Sequence, residues 1–228
     1  MVSVPLAFRL TSEVNSSIGI IGGSGPAGRG LAVRLASAGY NVVLGSREES
    51  RAAEVAAALV YRGQGEISGG TNETAAQADI VIVATPWDSA VSTVVPLRSA
   101  LADKVVISMV NALQKQGREL VPLVPARGSM AGELAAALPK SKVTGAYHHL
   151  PAADMENLDS GLDADVMVIG DDADARRVTV ELTDAMEGLR AVEVGSLSLA
   201  GAVENFTAVC ITTNIRHKAH TYVKLAGL

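Results

Sequence analysis

Two apolar patterns alternate along the chain. Short, unbroken runs of aliphatic residues are separated by longer stretches in which apolar positions recur at helical spacing. Ile18 to Ile21 is the first run, stopped by Gly22-Gly23-Ser24-Gly25. From Pro26 to Ser37, Leu31, Ala32, Leu35 and Ala36 mark one face of a helix, and Gly39 is its expected stop. A second strand is predicted over Asn41 to Gly45, then an alanine-rich helix from Arg47 to Leu59. Asp79 to Ala84 (DIVIVA) is a strand, after which Thr85-Pro86 caps and starts a helix running through Leu101. Val105 to Ser108 and Lys142 to Tyr147 predict further strands, and Glu133 to Leu138 the end of a helix between them.

Strands that are apolar at every position need cover on both faces. Alternating with helices, they predict an α/β fold of the Rossmann type, a doubly wound parallel sheet. Beyond Tyr147 the pattern changes. Val166 to Ile169 is a strand ended by Gly170, and Asp171 or Asp172 caps a helix reaching Met186. Ala191 to Val194 is a short strand, and Ala200 to Leu225 reads as one long helix. These elements form a smaller C-terminal α/β lobe or extend the same sheet. The resulting division is an extension over residues 1–17, expected to be poorly ordered, a main domain over 18–147 and a lobe over 148–228.

Composition narrows the function classes. Of 228 residues, 48% are apolar and 19% charged, which excludes disorder. A net charge of −5 argues against a general nucleic-acid surface, and 3% aromatics against base stacking. The one cysteine, Cys210, excludes an intramolecular disulfide framework and a cysteine zinc site, and fits a cytoplasmic protein. It reads as a small core residue. No apolar run reaches the roughly 18 residues that a membrane span needs. The patch Val4 to Phe8 lacks the charge and length of a signal peptide.

Candidate chemistry clusters at the predicted carboxyl ends of strands, where ligands bind such sheets. Gly23-Ser24-Gly25-Pro26-Ala27-Gly28 fits G-x-G-x-x-G, follows a strand and opens a helix, the context of a dinucleotide fingerprint. Gly23 would permit the tight turn, Gly25 close approach of a pyrophosphate, and Gly28 close packing of helix on strand. An acid about 20 residues further on would hold a free ribose 2′-hydroxyl. Here stand Gly45-Ser46-Arg47, with Arg51 one turn on, so a 2′-phosphate and hence NADP is favoured over NAD. Ser46 with Glu49 is also a capping box, a compatible reading. Thr85-Pro86-Trp87 ends the DIVIVA strand as helix cap, cofactor contact, or both.

His148-His149-Leu150-Pro151 follows a strand. One histidine lining a pocket is the preferred reading, with a merely hydrogen-bonded one as the alternative. Adjacent residues on extended chain diverge, so a shared metal is not expected. His217 and His220, three apart on the expected last helix, read as surface residues of one face. The acidic stretch from Asp163 to Asp174 reads as a turn and helix N-terminus.

IGIIGGSGPAGRGLAVRLASAGYNVVLGSRE resembles the start of the NADP reductases that use the deazaflavin coenzyme F420. ATPWDSAV, GAYHHLPAADMENLD, VIGDDADA and GLRAVEVGSLSLAGAVEN resemble the same family in the same order. The resemblance implies hydride exchange between NADP(H) and F420, directly from ring to ring, with no nucleophilic residue required. It implies a phosphate loop at Gly23 to Gly28 and 2′-phosphate contacts at Ser46, Arg47 and Arg51. It further implies cofactor contacts at Thr85, Pro86 and Trp87, and a ring-binding segment at His148, Pro151, Ala152 and Ala153, with His148 as a proton relay. After the fifth strand the family is often proline-bearing, whereas this chain reads Ser108-Met109-Val110-Asn111-Ala112. Val110 and Asn111 are the expected contacts there. Lys115, Arg118 and Arg127 stand where an anionic tail would be attracted, or form a solvated basic loop. Residues 18–147 become the NADP-binding domain, and 148–228 the part completing the deazaflavin site and a homodimer interface along the last helix. Two other readings stay open: an NADPH-dependent reductase of a small imine, keto or hydroxy acid, for which no proton-donor set is evident, and a non-catalytic NADP-binding sensor.

Overall fold

The structure, a computed structural model, describes residues 16–228 of the chain. The Val4 to Phe8 patch lies outside the described residues, as does most of the expected extension. Ser17 is not part of an extension. It begins the first strand, and its N–H and hydroxyl both donate to Asp79 Oδ2 at 2.8 Å.

The chain runs β1 (Ser17–Ile21), α1 (Pro26–Ser37), β2 (Asn41–Ser46), α2 (Glu49–Ala58), β3 (Ile67–Thr71), α3 (Asn72–Ala75), β4 (Ile80–Val83), α4 (Trp87–Val94) and α5 (Arg98–Leu101). It continues through β5 (Val105–Ser108), β6 (Leu113–Gln116), β7 (Glu119–Pro122), α6 (Met130–Ala137), β8 (Lys142–Gly145) and α7 (Ala152–Glu156). It ends with β9 (Ala164–Gly170), α8 (Ala173–Asp184), β10 (Leu189–Gly195) and α9 (Ala200–His217).

Eight strands form one sheet in the order β10-β9-β8-β5-β4-β1-β2-β3, and β6 with β7 form a separate hairpin. Every pairing in the large sheet is parallel except β8 with β9. Of the two outcomes left open for the C-terminal region, its strands extend the main sheet, entering through that one antiparallel step. The strand order reverses between β1 and β4, so their carboxyl ends open a crevice at the topological switch point.

The unbroken apolar runs are explained by two cores, one on each face. Ile18, Ile20, Ile80 and Ile82 point into one with Leu31 and Leu35 of α1. Ile21, Val81 and Val83 point into the other with Val94, Leu101 and Leu134. Each such side chain, fully buried, contributes roughly 1.5–3 kcal/mol. Neighbours along one strand therefore serve opposite faces.

Several boundaries differ from the sequence reading. The helix expected from Thr85 to Leu101 is broken: Pro96 forces a 3-10 turn over Val95–Leu97 between α4 and α5. Its N-cap is Pro86, with no side-chain cap, so Thr85 does not cap it. The last helix stops at His217 because Lys218 adopts a left-handed conformation (φ 52°, ψ 46°), and the chain beyond it runs back over the sheet edge. There Asp165 N–H donates to Val223 O at 2.8 Å. His217 and His220 therefore do not share a helix face.

Candidate functional site

The crevice begins where β1 hands over to α1. Gly22 takes φ +74°, and Gly23 N–H closes the turn on Ile20 O at 3.0 Å. The left-handed residue is thus Gly22, one place before the expected Gly23. Gly23 is held small for another reason, since a Cβ there would lie 2.7 Å from Ile20 O. At Gly28 a Cβ would come within 2.6 Å of Gly23 Cα and O, so α1 can start this close to the loop only with glycine. At Gly25 a Cβ would meet only Gly22 O at 3.6 Å; the backbone here is open to the crevice. Gly25 is the N-cap of α1, with no side-chain cap and no acidic residue in the first turn. The N–H groups of that turn and the positive end of the helix dipole are left for an outside anion.

The second wall comes from the end of β2. Ser46 is buried and its Oγ accepts from Glu48 N–H at 3.2 Å. Because α2 starts only at Glu49, with Glu48 as a cap that makes no side-chain bond, the expected capping box of Ser46 and Glu49 does not form. Arg47 and Arg51 project from this corner, exposed, and pair with no carboxylate among the described residues.

The third wall follows β4. Thr85 lies against the loop, its Cγ2 2.7 Å from where a Gly22 Cβ would stand. Its Oγ1 is buried without a hydrogen-bond partner. Trp87, 40% exposed, opens α4 and does not pack into the core.

Together these walls enclose a cavity of about 660 Å³ lined by Ser24, Gly25, Pro26, Ala27, Ser46, Arg47, Arg51, Thr85 and Pro86. Five hydrophilic residues of the same lining, Asn72, Glu73, Ser89, Ser92 and Thr93, were not singled out from the sequence. Asn72 matters most among them. It is 7% exposed and its Oδ1 accepts from Gly22 N–H at 3.0 Å, so α3 holds the phosphate loop in place. The signal for it was weak, because the preceding strand reads Ile67-Ser68-Gly69-Gly70-Thr71 and carries no apolar run.

A second group of expected residues lies apart from that lining. Val110 is buried at 3%. Asn111 uses its side chain within the protein, Nδ2 donating to His148 O at 3.1 Å and Oδ1 accepting from Thr207 at 3.1 Å. Pro151 caps α7 and Ala152 opens it. That helix packs on α1, and a Cβ at Gly30 would lie 2.8 Å from Ala152 O. His149 Nε2 lies 2.7 Å from Val203 O in α9.

His148 is 5% exposed, and neither ring nitrogen has a partner. Burial, helped by neighbouring His149, pushes its pKa down to about 3, so the ring is neutral at ordinary pH.

The remaining candidates are scattered. Among the described residues no group of three or more His, Cys, Asp or Glu side chains is placed to hold a metal. His217 is exposed, whereas His220 Nδ1 meets Asp154 Oδ1 at 2.6 Å. Cys210 is half-buried on α9, and burial raises its thiol pKa. Lys115 lies in β6, and Arg118 and Arg127 sit on exposed loops. Asp172, rather than Asp171, caps α8, accepting from Ala175 N–H at 2.8 Å.

A family model described as NADP oxidoreductase coenzyme F420-dependent matches residues 17–112, from β1 to just past β5. An F420-dependent NADP reductase of Methanocaldococcus jannaschii is 34% identical over 222 residues, 92% of this chain and 98% of that one. Another from Methanothermobacter thermautotrophicus is 33% identical over 92% of this chain and 93% of its own. A crystal structure from Arthrobacter sp. FB24, provisionally assigned as an F420-dependent NADP reductase, matches with a TM-score of 0.75 at 22% identity. It covers 92% of this chain and 99% of that one, a likeness of fold.

Proposed function

The chain belongs to the F420-dependent NADP reductase family, and on that premise we propose that it is an oxidoreductase moving a hydride between NADP(H) and F420. The observation that carries the NADP half is the corner at the end of β2. There two exposed arginines, with Glu73 the one carboxylate of the lining, face an uncapped helix N-terminus across one cavity. The F420 half rests on family membership.

The residues present fit a phosphorylated dinucleotide. Gly25, with Ala27 and Gly28, would hold a pyrophosphate on backbone N–H groups, and Ser46, Arg47 and Arg51 a 2′-phosphate by charge-assisted hydrogen bonds. Thr85 lines the same cavity, and its Oγ1 is buried without a hydrogen-bond partner. Pro86 and Trp87 extend that wall outward. When bound, the nicotinamide and the deazaflavin supply the hydride chemistry through their own C4 and C5 carbons. The protein's part is to bind, orient and exclude water.

In this proposal residues 18–147 seat the nucleotide. Residues 148–228, with Val110 and Asn111, complete the deazaflavin half, where His148, Pro151 and Ala152 line the ring site. The buried, partnerless nitrogens of His148 support that placement, since a polar group left unsatisfied inside a protein calls for a partner. As a relay it would act as a neutral imidazole, passing a proton through one nitrogen while the other receives one. Full turnover by His148→Ala at every pH would remove it from the mechanism.

We further propose a homodimer along α9, whose Phe206, Val209 and Ile215 are 43%, 56% and 40% exposed. A cytoplasmic setting accords with the single cysteine. No helix among the described residues is long and apolar enough to cross a membrane.

Mixing protein, NADPH and purified F420 and following both absorbances tests the activity. The proposal requires loss of NADPH only when F420 is present, in one-to-one proportion. Oxidation of NADPH by a small imine or keto acid in its place, or binding with no turnover, would overturn it.

A further inference from the structure

His148 sits in a turn that is held from three directions. The turn begins at Tyr147, a bulky residue at φ +66°, a conformation that persists only where its surroundings over-determine it. Tyr147 is 2% exposed, and its hydroxyl lies 3.0 Å from Thr183 Oγ1 on α8. His149, on the other side, is tied to Val203 O of α9. Between them the carbonyl of His148 receives two donors: Asn111 Nδ2 at 3.1 Å and Thr207 Oγ1 at 3.2 Å. The Thr207 hydroxyl also lies 3.1 Å from Asn111 Oδ1, so its single proton is shared between the two acceptors of this clasp. Thr207 is 3% exposed, so water does not readily replace it.

The clasp joins three segments distant in sequence: the loop after β5, the turn after β8, and α9. The His148 carbonyl is thus held from two sides, whereas the two nitrogens of its ring have no partner. A turn this heavily fixed around one unpartnered ring is built to set that ring's position.

We infer that Asn111 and Thr207 are positioning residues, a clasp on the His148 carbonyl that fixes the imidazole against the second substrate's ring. Asn111 acts through His148 and not by touching the substrate. The inference rests on the proposed F420 reading for what the ring meets, and on geometry alone for what holds the ring.

The test uses the full-length protein and the variants Thr207→Val, Thr207→Ser, Asn111→Ala and the pair Asn111→Ala with Thr207→Val. F420 affinity is read by quenching of its fluorescence with NADP⁺ present, NADPH affinity separately, and the His148 ring by its Cε1 NMR signal. Removing one donor from a buried carbonyl should weaken F420 about tenfold. NADPH affinity should stay within about twofold, and the His148 signal should shift. Thr207→Ser should restore both, and the double variant should be little worse than either single one, because the clasp acts as a unit. Unchanged F420 affinity in Thr207→Val and Asn111→Ala overturns the inference. So does an equal loss for both ligands, which marks general loosening. If the unaltered protein fails to bind F420, the proposed function falls, and the clasp is judged by NMR alone: a His148 signal unmoved in both single variants refutes it.

Discussion

Arg47 is where the preference between nucleotides should be decided. It is exposed at the end of β2, beside Ser46 and one helical turn from Arg51, on the wall of the 660 Å³ cavity. NADPH differs from NADH only by the 2′-phosphate, so the pair isolates this corner. A hydrogen bond to a charged group is worth about 1.5–3 kcal/mol. Screening at an exposed site holds the value near the low end, so Arg47→Ala should raise the NADPH dissociation constant about tenfold. Arg47→Glu adds repulsion of about 1 kcal/mol or more per charge pair at 4 Å, which brings the loss to about a hundredfold. Glu73 already lines the same cavity, so a second carboxylate there has no spare cation to meet except Arg51. NADH affinity should change by no more than about twofold in both variants. Titrations followed by nucleotide fluorescence, at two salt concentrations, check this; the difference between variants should shrink as salt rises. Equal losses for NADPH and NADH, or none for either, would show that the 2′-phosphate is recognised elsewhere.

Other expectations follow from the same geometry. Gly28→Ala should abolish NADPH binding and lower the melting temperature by several degrees, because its Cβ would stand 2.6 Å from Gly23 Cα and O; retention of native affinity would contradict the loop account. Glu204, 2% exposed, accepts from the N–H groups of Met130 and Ala131 at the start of α6, while burial pushes its pKa up to about 7. Its folded pKa is the higher one, so its contribution is complete below about pH 4.5 and is lost as pH rises toward 7, of order 3 kcal/mol in all. Urea unfolding from pH 5 to 8 should show that fall in the parent and a flatter profile in Glu204→Gln; parallel profiles would exclude Glu204 as its source. Phe206→Glu with Val209→Glu should turn a dimer into a monomer by light scattering, and a parent already monomeric at working concentration would refute that interface.

The parts of the fold that announce themselves are those in which local pattern and burial agree. The bounds of α1 at Pro26 and Ser37 coincide with the reading because proline at the start and Gly39 beyond the end act on the backbone directly. Strand β3 is hidden because packing, not propensity, chose its residues: at Gly69 a Cβ would lie 2.2 Å from Ala52 C of α2. The strand exists because β2 offers it an edge, a fact of tertiary structure. The hairpin of β6 and β7 is hidden for the opposite reason, being largely exposed and polar, with no face for a core. The end of α9 carries neither glycine nor proline; Lys218 turns there, with Thr221 N–H held by Asn214 Oδ1 at 2.8 Å, a contact of the returning tail.

The site divides the same way. Gly25, Arg47 and Thr85 line one cavity because strand ends and helix starts meet along one edge of this kind of sheet, where the sequence placed them. Asn72 bonds to Gly22 and Thr207 to His148 across 50 and 59 residues of chain, and no spacing along the sequence encodes such a meeting.

Transfer of isotope between the two carriers tests the central claim most directly. NADPH deuterated at the transferable C4 position, mixed with the protein and F420 in ordinary water, should give reduced F420 carrying one deuterium at C5 per turnover, and the reverse labelling, in deuterated water with unlabelled NADPH, should leave C5 without it. Deuterium lost to solvent, or reduction with C5 hydrogen drawn from water, would contradict a direct passage from ring to ring in one cleft.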